Sequence, residues 1–410
     1  SSVTAFGDRA FAGCSNLVSV TIPSAVTNVA ENAFIDCPRL RSVELHSARI
    51  AATKTLKELF PNTYMVLTNV VLDAEITVLA DGFFDGCTAL VRVDGKDWRS
   101  LGEQLGKRGF WIENGWLLGY IGTAPAAVEI PDDVKGIAAY AFEGQPTLQS
   151  VVIPVDVRNI GTNAFARCTE LRRMDLRLAR IPTIRATMNT ICAETAARVT
   201  DIALGEKVTQ LAVGFFEGCT GVRRVELNSS RLATTKTLKE LFPDAYANLT
   251  DVVVGAKVKL ADGFFDGCVG LRRVELGSRR VVESTTLREL IPDAVASLTE
   301  VVLGSGVTAI PDGFFEGCDA LTAVTIPETL EDFGANDIRF VGARVGKRGL
   351  WIVNGWVLAY VGAAPAEVAI PDGVTGIASY AFEGQSALVS VSLPSSLRSI
   401  GVRAFALCTS

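Results

Sequence analysis

The sequence predicts a repeat solenoid: a right-handed α/β stack of short coils, with one parallel β-sheet face, short helical or 3-10 turns opposite it, and two inserted β-hairpins. Three observations carry that prediction. A five-residue phrase ending in cysteine or glutamine recurs ten times. A strand pattern, L-x-x-V-x-I/L, travels with it. A longer block holding both returns after 240 residues. Periods of this length mark arrays in which each unit buries its apolar side only against its neighbours.

The phrase is a small residue or Phe, then Phe, two residues, and Cys or Gln. It reads Ala10-Phe11-Ala12-Gly13-Cys14 at its first occurrence, and Phe83-Phe84-Asp85-Gly86-Cys87 in its bulkier form. The closing residues are Cys14, Cys37, Cys87, Gln145, Cys168, Cys219, Cys268, Cys318, Gln385 and Cys408. Their spacings are 23, 50, 58, 23, 51, 49, 50, 67 and 23 residues. The short spacing is one coil. The spacing near 50 is two coils, the second carrying Thr55-Leu56-Lys57-Glu58-Leu59-Phe60-Pro61. That segment returns at Thr237 to Pro243 and, altered, at Thr286 to Pro292. It reads as a helical turn stopped by proline.

The strand pattern runs Leu17 to Ile22, Leu40 to Leu45, Leu148 to Ile153, Leu271 to Leu276 and Leu388 to Leu393. Alternation sends Val20 and Ile22 inward and Ser19 and Thr21 outward. Counting strands and phrases together gives roughly sixteen coils in one continuous array, 1–410. The large repeat is Lys107 to Trp116, matched by Lys347 to Trp356, with the match continuing to Cys168 and Cys408. Within it, Asn114-Gly115 and Asn354-Gly355 each separate a pair of apolar runs, the strongest short signal for a tight hairpin. Each hairpin is expected to interrupt or decorate the stack. The sub-blocks are therefore repeats at 1–104, a hairpin module with repeats at 105–168, repeats at 169–344 and a second such module at 345–410. Both ends fall inside a coil, which leads us to expect a longer protein or neighbours at the ends.

Composition narrows the function. Nearly half the residues are hydrophobic and a fifth are charged, enough to build a core. The formal charge of −6 offers no electrostatic reason to bind nucleic acid. No apolar run nears the ~20 residues that span a bilayer, and the chain opens on a repeat rather than a signal peptide. One histidine, His46, argues against His-rich metal sites and Ser-His-Asp or Cys-His catalysis. No acid pair, nucleophile–base pair or metal cluster stands out. No enzyme, no cofactor and no metal are expected.

The phrase I-P-x-x-V-x-x-I-x-x-x-A-F-x-x-C, seen from Ile22-Pro23 to Cys37, resembles the hallmark of the BspA-like (Treponema-type) leucine-rich-repeat family. The W-I-x-N-G-W-x-L-x-Y segments resemble modules common in that family. The resemblance spans essentially the whole chain. It implies a leucine-rich-repeat fold and a large, secreted or surface-displayed protein that adheres to host matrix or to other cells. It therefore implies an extracellular or cell-surface location and supplies no catalytic residues.

Three sets of side chains are candidates for a role. The first is the cysteines. Nine is an odd number, no C-x-x-C occurs, and Gln145 and Gln385 twice replace cysteine. Cys14, Cys37, Cys87, Cys168, Cys219, Cys268, Cys318 and Cys408 share one place in the repeat and are expected to be structural thiols packing at the bend. Cys192 is out of register. The second set is the first outward residue of six successive strands: Arg173, Asp201, Arg224, Asp251, Arg273 and Glu300. The signs alternate, which suggests a self-neutralising ladder on a solvated sheet face, or else a charged binding stripe. The third is the hairpin aromatics: Trp111, Trp116 and Tyr120, repeated as Trp351, Trp356 and Tyr360. They either glue the hairpin to the stack or contact a protein or glycan. The sequons at Asn228 and Asn248 are no more than chance yields, and Gly304-Ser305-Gly306 is a coil corner.

Two functions follow. One is a non-catalytic adhesin that binds a protein or extracellular-matrix ligand. The other is a structural protein whose copies stack end to end into a fibre or surface layer.

Overall fold

The computed structural model describes residues 2–73, 107–113, 115–177, 187–211, 213–283, 285–333 and 338–409, with isolated positions between 76 and 93. Asp85, Gly86, Asn114 and the sub-block boundary at 104 and 105 lie outside the described residues. The chain forms two compact units, Ser1–Val199 with Leu211–Cys219 and Thr200–Gln210 with Thr220–Ser410.

Each unit is built from parallel strands whose side chains alternate between core and solvent. In the first, Ser19–Ile22, Ser42–Leu45, Asn69–Leu72 and Arg92–Val93 pair in order, placing Ser19 beside Ser42, then Asn69, then Arg92. A second sheet of this unit pairs Ala127–Glu129, Ser150–Ile153 and Arg173–Leu176. In the second unit Asp201, Arg224, Asp251, Arg273, Glu300 and Ala323 stand side by side on six parallel strands. The coil length therefore alternates between 22 or 23 residues and 27. The inward residues, Val225, Leu227, Val252 and Val254 among them, are fully buried. Each such side chain removed from water contributes about 1.5–3 kcal/mol, so a coil is stable only between two others.

The longer coils hold the helical segment. Ser47 starts the helix Ala48–Thr53 by accepting from Ile50 N, and its hydroxyl donates to the Val26 carbonyl one coil back. Thr55 then caps Leu56–Leu59: its hydroxyl accepts from Glu58 N, and the Glu58 carboxylate accepts from Thr55 N at 2.7 Å. This reciprocal pair satisfies two donors that a helix start leaves open. Thr237 with Glu240 and Thr286 with Glu289 repeat it. Phe60 ends the turn before Pro61, whose ring disfavours a helical predecessor. In the coil at 187–199 the cap is Thr187 with Thr190, and Cys192 occupies the place of Phe60 and Phe242. Cys192 thus belongs to the helical turn and not to the recurring phrase.

The phrase itself forms the opposite bend. Phe11 and Phe34 stack at 4.9 Å, Phe142 and Phe165 at 5.1 Å, and Phe382 and Phe405 at 4.9 Å. The residue before the closing Cys or Gln has positive φ in most copies, from +56° at Arg167 to +83° at Gly317. Glycine adopts that conformation freely, and other residues are strained there.

Each hairpin takes the place of a coil. Gly349–Val353 and Trp356–Val361 are antiparallel, joined by Asn354 at φ +53° and Gly355 at φ +77°. Two positive φ values in succession make the turn whose twist matches a hairpin. Trp356 and Val357 then pair in parallel with Gly376 and Ile377, which pair with Ser399 and Ile400. The first hairpin, Gly109–Glu113 with Trp116–Ile121, joins Gly136 and Asn159 in the same way. Tyr120 N donates to the Ala141 carbonyl at 2.8 Å, the bond that Phe142 N makes to Ala164 at 2.7 Å. Tyr120 therefore fills a phenylalanine position, its ring 5.9 Å from Phe142. The hairpins interrupt the stack rather than decorate it.

Candidate functional site

The outward face of the six strands from Asp201–Leu204 to Ala323–Thr325 carries a continuous row of ionised side chains. Asp201, Arg224, Asp251, Arg273 and Glu300 are direct cross-strand neighbours. Arg224 bonds Asp251. Arg273 is the hub, 2.9 Å from Asp251, 2.9 Å from Glu275 and 3.3 Å from Glu300. Burial alone would lower its pKa, but these bonds outweigh that and hold it above the ordinary arginine value. Pairs this exposed contribute about 0.2–1 kcal/mol each.

The row beside it changes the balance. Ala203, Glu226, Val253, Glu275 and Val302 face the same side, so five carboxylates meet two guanidiniums and leave −3 on the face. Taken with its second row, the ladder expected to neutralise itself is acidic. Arg173, in the first unit, lies beside Ser150. There Arg177 bridges Glu129 at 2.9 Å and Asp175 at 3.2 Å.

The hairpin aromatics mostly face inward. Trp111 is 2% exposed and Trp351 is 6%, leaving no ring face for a ligand. Trp116 and Trp356 are half-buried over the glycines of the next coil. A Cβ on Gly136 would come within 2.7 Å of the Trp116 ring, and one on Gly376 within 2.5 Å of Trp356. The reason is geometric: the hairpin replaces a coil, so its large rings must fill the volume a coil would fill. Tyr120 and Tyr360 continue the phenylalanine stack and stay half-exposed.

The cysteines are free thiols. Cys37 Sγ donates to the Phe11 carbonyl at 3.2 Å, Cys168 to Phe142 at 3.0 Å and Cys408 to Phe382 at 3.2 Å, each in the preceding coil. Burial pushes the Cys268 and Cys318 thiols up to about 12 and raises Cys192 well above its ordinary value. The substitutions to glutamine follow the hairpins. Gln385 accepts from Ala364 N at 2.8 Å and donates to the Gly362 carbonyl at 2.9 Å, and Gln145 holds Ala124 and Gly122 alike. Where the preceding coil is a hairpin, the turn is farther away and the longer amide reaches it.

A positioning arginine outside the three candidate sets does carry a periodic signal, standing four residues after a closing cysteine. Arg41, Arg172, Arg223 and Arg272 each bond two carbonyls of the bend, Arg223 reaching Thr220 at 3.0 Å and Val222 at 2.9 Å. Phe340, on the helix Ile338–Arg344, is 52% exposed. Among the described residues there is no cluster of His, Cys, Asp and Glu able to hold a metal, and no helix long and apolar enough to cross a membrane.

The family model described as "BspA type Leucine rich repeat region" matches the chain in six copies, over residues 1–101, 123–231, 187–290, 293–338 and 360–410. No curated protein sequence matches it. Among solved structures, the chain is similar to a leucine-rich repeat protein from Bacteroides ovatus at 18% identity, covering 99% of this chain and 80% of that one, with a TM-score of 0.22. It is similar to a leucine rich cell surface protein from Faecalibacterium prausnitzii at 20% identity, covering 79% and 83%, with a TM-score of 0.20. The pneumococcal vaccine antigen PcpA shares 14% identity over 74% of this chain and 66% of its own, with a TM-score of 0.29. Scores this low add nothing on shape or function.

Proposed function

Because the chain belongs to the BspA-type leucine-rich-repeat family, we propose that it is a non-catalytic extracellular or cell-surface binding protein that adheres to basic surfaces of partner proteins. The observation that supports this reading is the residual charge of −3 on the sheet face between Asp201 and Thr325. Arg224 and Arg273 are already engaged with acids there, so the face offers an incoming protein mainly carboxylates. Val302, beside Glu275, adds apolar contact. Parallel strands in register hold these groups at fixed spacing, which suits a broad protein surface more than a small molecule.

Binding of the whole chain to immobilised basic and acidic extracellular-matrix proteins tests the proposal. Affinity for the basic ones is expected to fall with rising salt and to fall again in the double variant Glu226→Lys, Glu300→Lys. Binding that ignores both changes would remove the sheet face from consideration. Sedimentation velocity across a wide concentration range tests the rival reading, end-to-end assembly into a fibre. Growth into long particles would make self-assembly the primary role, and one monomeric boundary throughout would leave the adhesin.

A further inference from the structure

We propose that the second hairpin module holds a binding site for a neutral sugar, in the cleft between the helix Ile338–Arg344 and the turns that follow Tyr360 and Glu383. The cleft is open, about 490 Å³ in volume, within the range of about 300–1,000 Å³ typical of small-molecule sites. Phe340 and Tyr360 stand on its walls, and Gly362 to Ala364 and Gly384 to Ala387 line the rest. Both walls are aromatic. Tyr360 is fixed by its ring contact with Phe382 at 5.7 Å. Phe340 is 52% exposed, and the Arg344 guanidinium lies 3.9 Å from its ring centroid. Among the described residues Phe340 is the one phenylalanine that is exposed rather than buried or half-buried.

The polar groups narrow the ligand class. Arg339 and Glu383 are the charged residues among those lining the cleft, and they are paired at 3.3 Å, so the lining carries no net charge. Arg403 holds Glu383 from outside the lining at 2.8 Å. An ammonium ligand would face Arg339 and Arg403, and a carboxylate ligand would have to displace Glu383 from both guanidiniums. A hydroxyl suits both, donating to the carboxylate and accepting from the guanidinium, and a carboxylate that takes two bonds keeps further lone-pair sites. Adjacent hydroxyls on a ring with an apolar face are the chemistry of a sugar. Gln385 stiffens the floor by holding Ala364 N and the Gly362 carbonyl.

The first hairpin module is a built-in control. It keeps Tyr120, Glu143 and Gln145, but Ser100 stands where the second module has Phe340, and Asn163 where it has Arg403. One site per chain is therefore expected, not two.

Saturation-transfer NMR on the whole chain, with glucose, galactose, mannose and N-acetylglucosamine and with free glutamate and lysine for comparison, tests the site. At least one sugar should saturate with one site per chain, and neither amino acid should compete. Phe340→Ala should weaken that sugar about tenfold or more, the loss of one aromatic contact, and Phe340→Trp should restore it. Phe340 is exposed, and circular dichroism of the variant checks that the fold is unchanged. No signal from any sugar, a sugar signal indifferent to Phe340→Ala, or tighter binding of glutamate would each overturn the proposal.

Discussion

The helical coils and the hairpin modules return the chain between strands by opposite means. In the coil at 229–248 the capping bonds are local. Thr237 and Glu240 cap one turn and Ser229 starts the one before it, while the Ser229 hydroxyl reaches back to Val208 and Leu238 N donates forward to the Phe264 carbonyl. In the hairpin at 349–361 the holding contacts are distant in sequence. Trp351 lies against Gly342, Trp356 covers Gly376, and Gln385 ties the exit turn from the next coil. A local cap can be copied with its own segment, as the three Thr-x-x-Glu turns are. A hairpin works only if the coil after it is altered to match. That accounts for the glutamine that follows each hairpin where cysteine stands elsewhere.

The comparison breaks most visibly at the tryptophans. Trp351→Ala should cost about 3–5 kcal/mol, the range for a large aromatic removed from a core, read as an earlier urea transition of residues 338–409. A change below about 1 kcal/mol would mean the hairpin is peripheral after all. Next in size is Gln385→Ala, which strands Ala364 N and two carbonyls and should cost about 1–3 kcal/mol. Gln385→Cys should not rescue it, although cysteine is the usual residue there, because the thiol is too short. Rescue by cysteine would sink the idea that the hairpin dictates the amide. In the helical coils Thr237→Ala should cost about 1 kcal/mol and speed amide exchange at Glu240 while leaving Trp356 unaffected.

The smallest effect is in the caps' acid response. The Thr55 backbone bond, with the Thr55 hydroxyl, holds Glu58 below the usual carboxylate range, and the Thr237 backbone bond does the same for Glu240. A carboxylate whose folded pKa is depressed contributes stability above its unfolded value, near 4.3, and loses it as pH falls through the folded one. NMR titration of Glu58 should therefore give a midpoint below about 4.3. A midpoint at or above it would show that the cap bond is not formed in solution.

Most of the fold was legible in the sequence because a solenoid repeats its own signals. The strand register, the Thr-Leu-Lys-Glu-Leu turns and the Asn354-Gly355 turn rest on local chemistry that recurs in place. The candidate sites were legible only as residue types. Whether Trp111 and Trp351 meet a ligand depends on what fills the volume behind them, and no local pattern encodes that the hairpin stands in for a coil. The first-row charges alternate without a fault, but their meaning changes once Glu226 and Glu275 share the surface. Cys192 is out of register with the other thiols because it ends the helical turn capped by Thr187, where Phe60 and Phe242 end the others. Phe340 has no aromatic counterpart 240 residues earlier, where Ser100 stands, so no repeat signal marks it.

The buried thiols have a consequence for survival in an oxidising medium. Cys37, Cys168, Cys192, Cys219, Cys268 and Cys318 are enclosed, and a thiol held near 12, as Cys268 and Cys318 are, supplies almost no thiolate to attack an oxidant or a disulfide. The unfolded chain has nine cysteines at ordinary acidity, any two of which can cross-link before the coils restack. For these six enclosed thiols the rate of loss to oxidation is then the rate of unfolding, and each coil that slows unfolding also protects the sulfur, whereas Cys14, Cys87 and Cys408 are only partly covered in the folded chain.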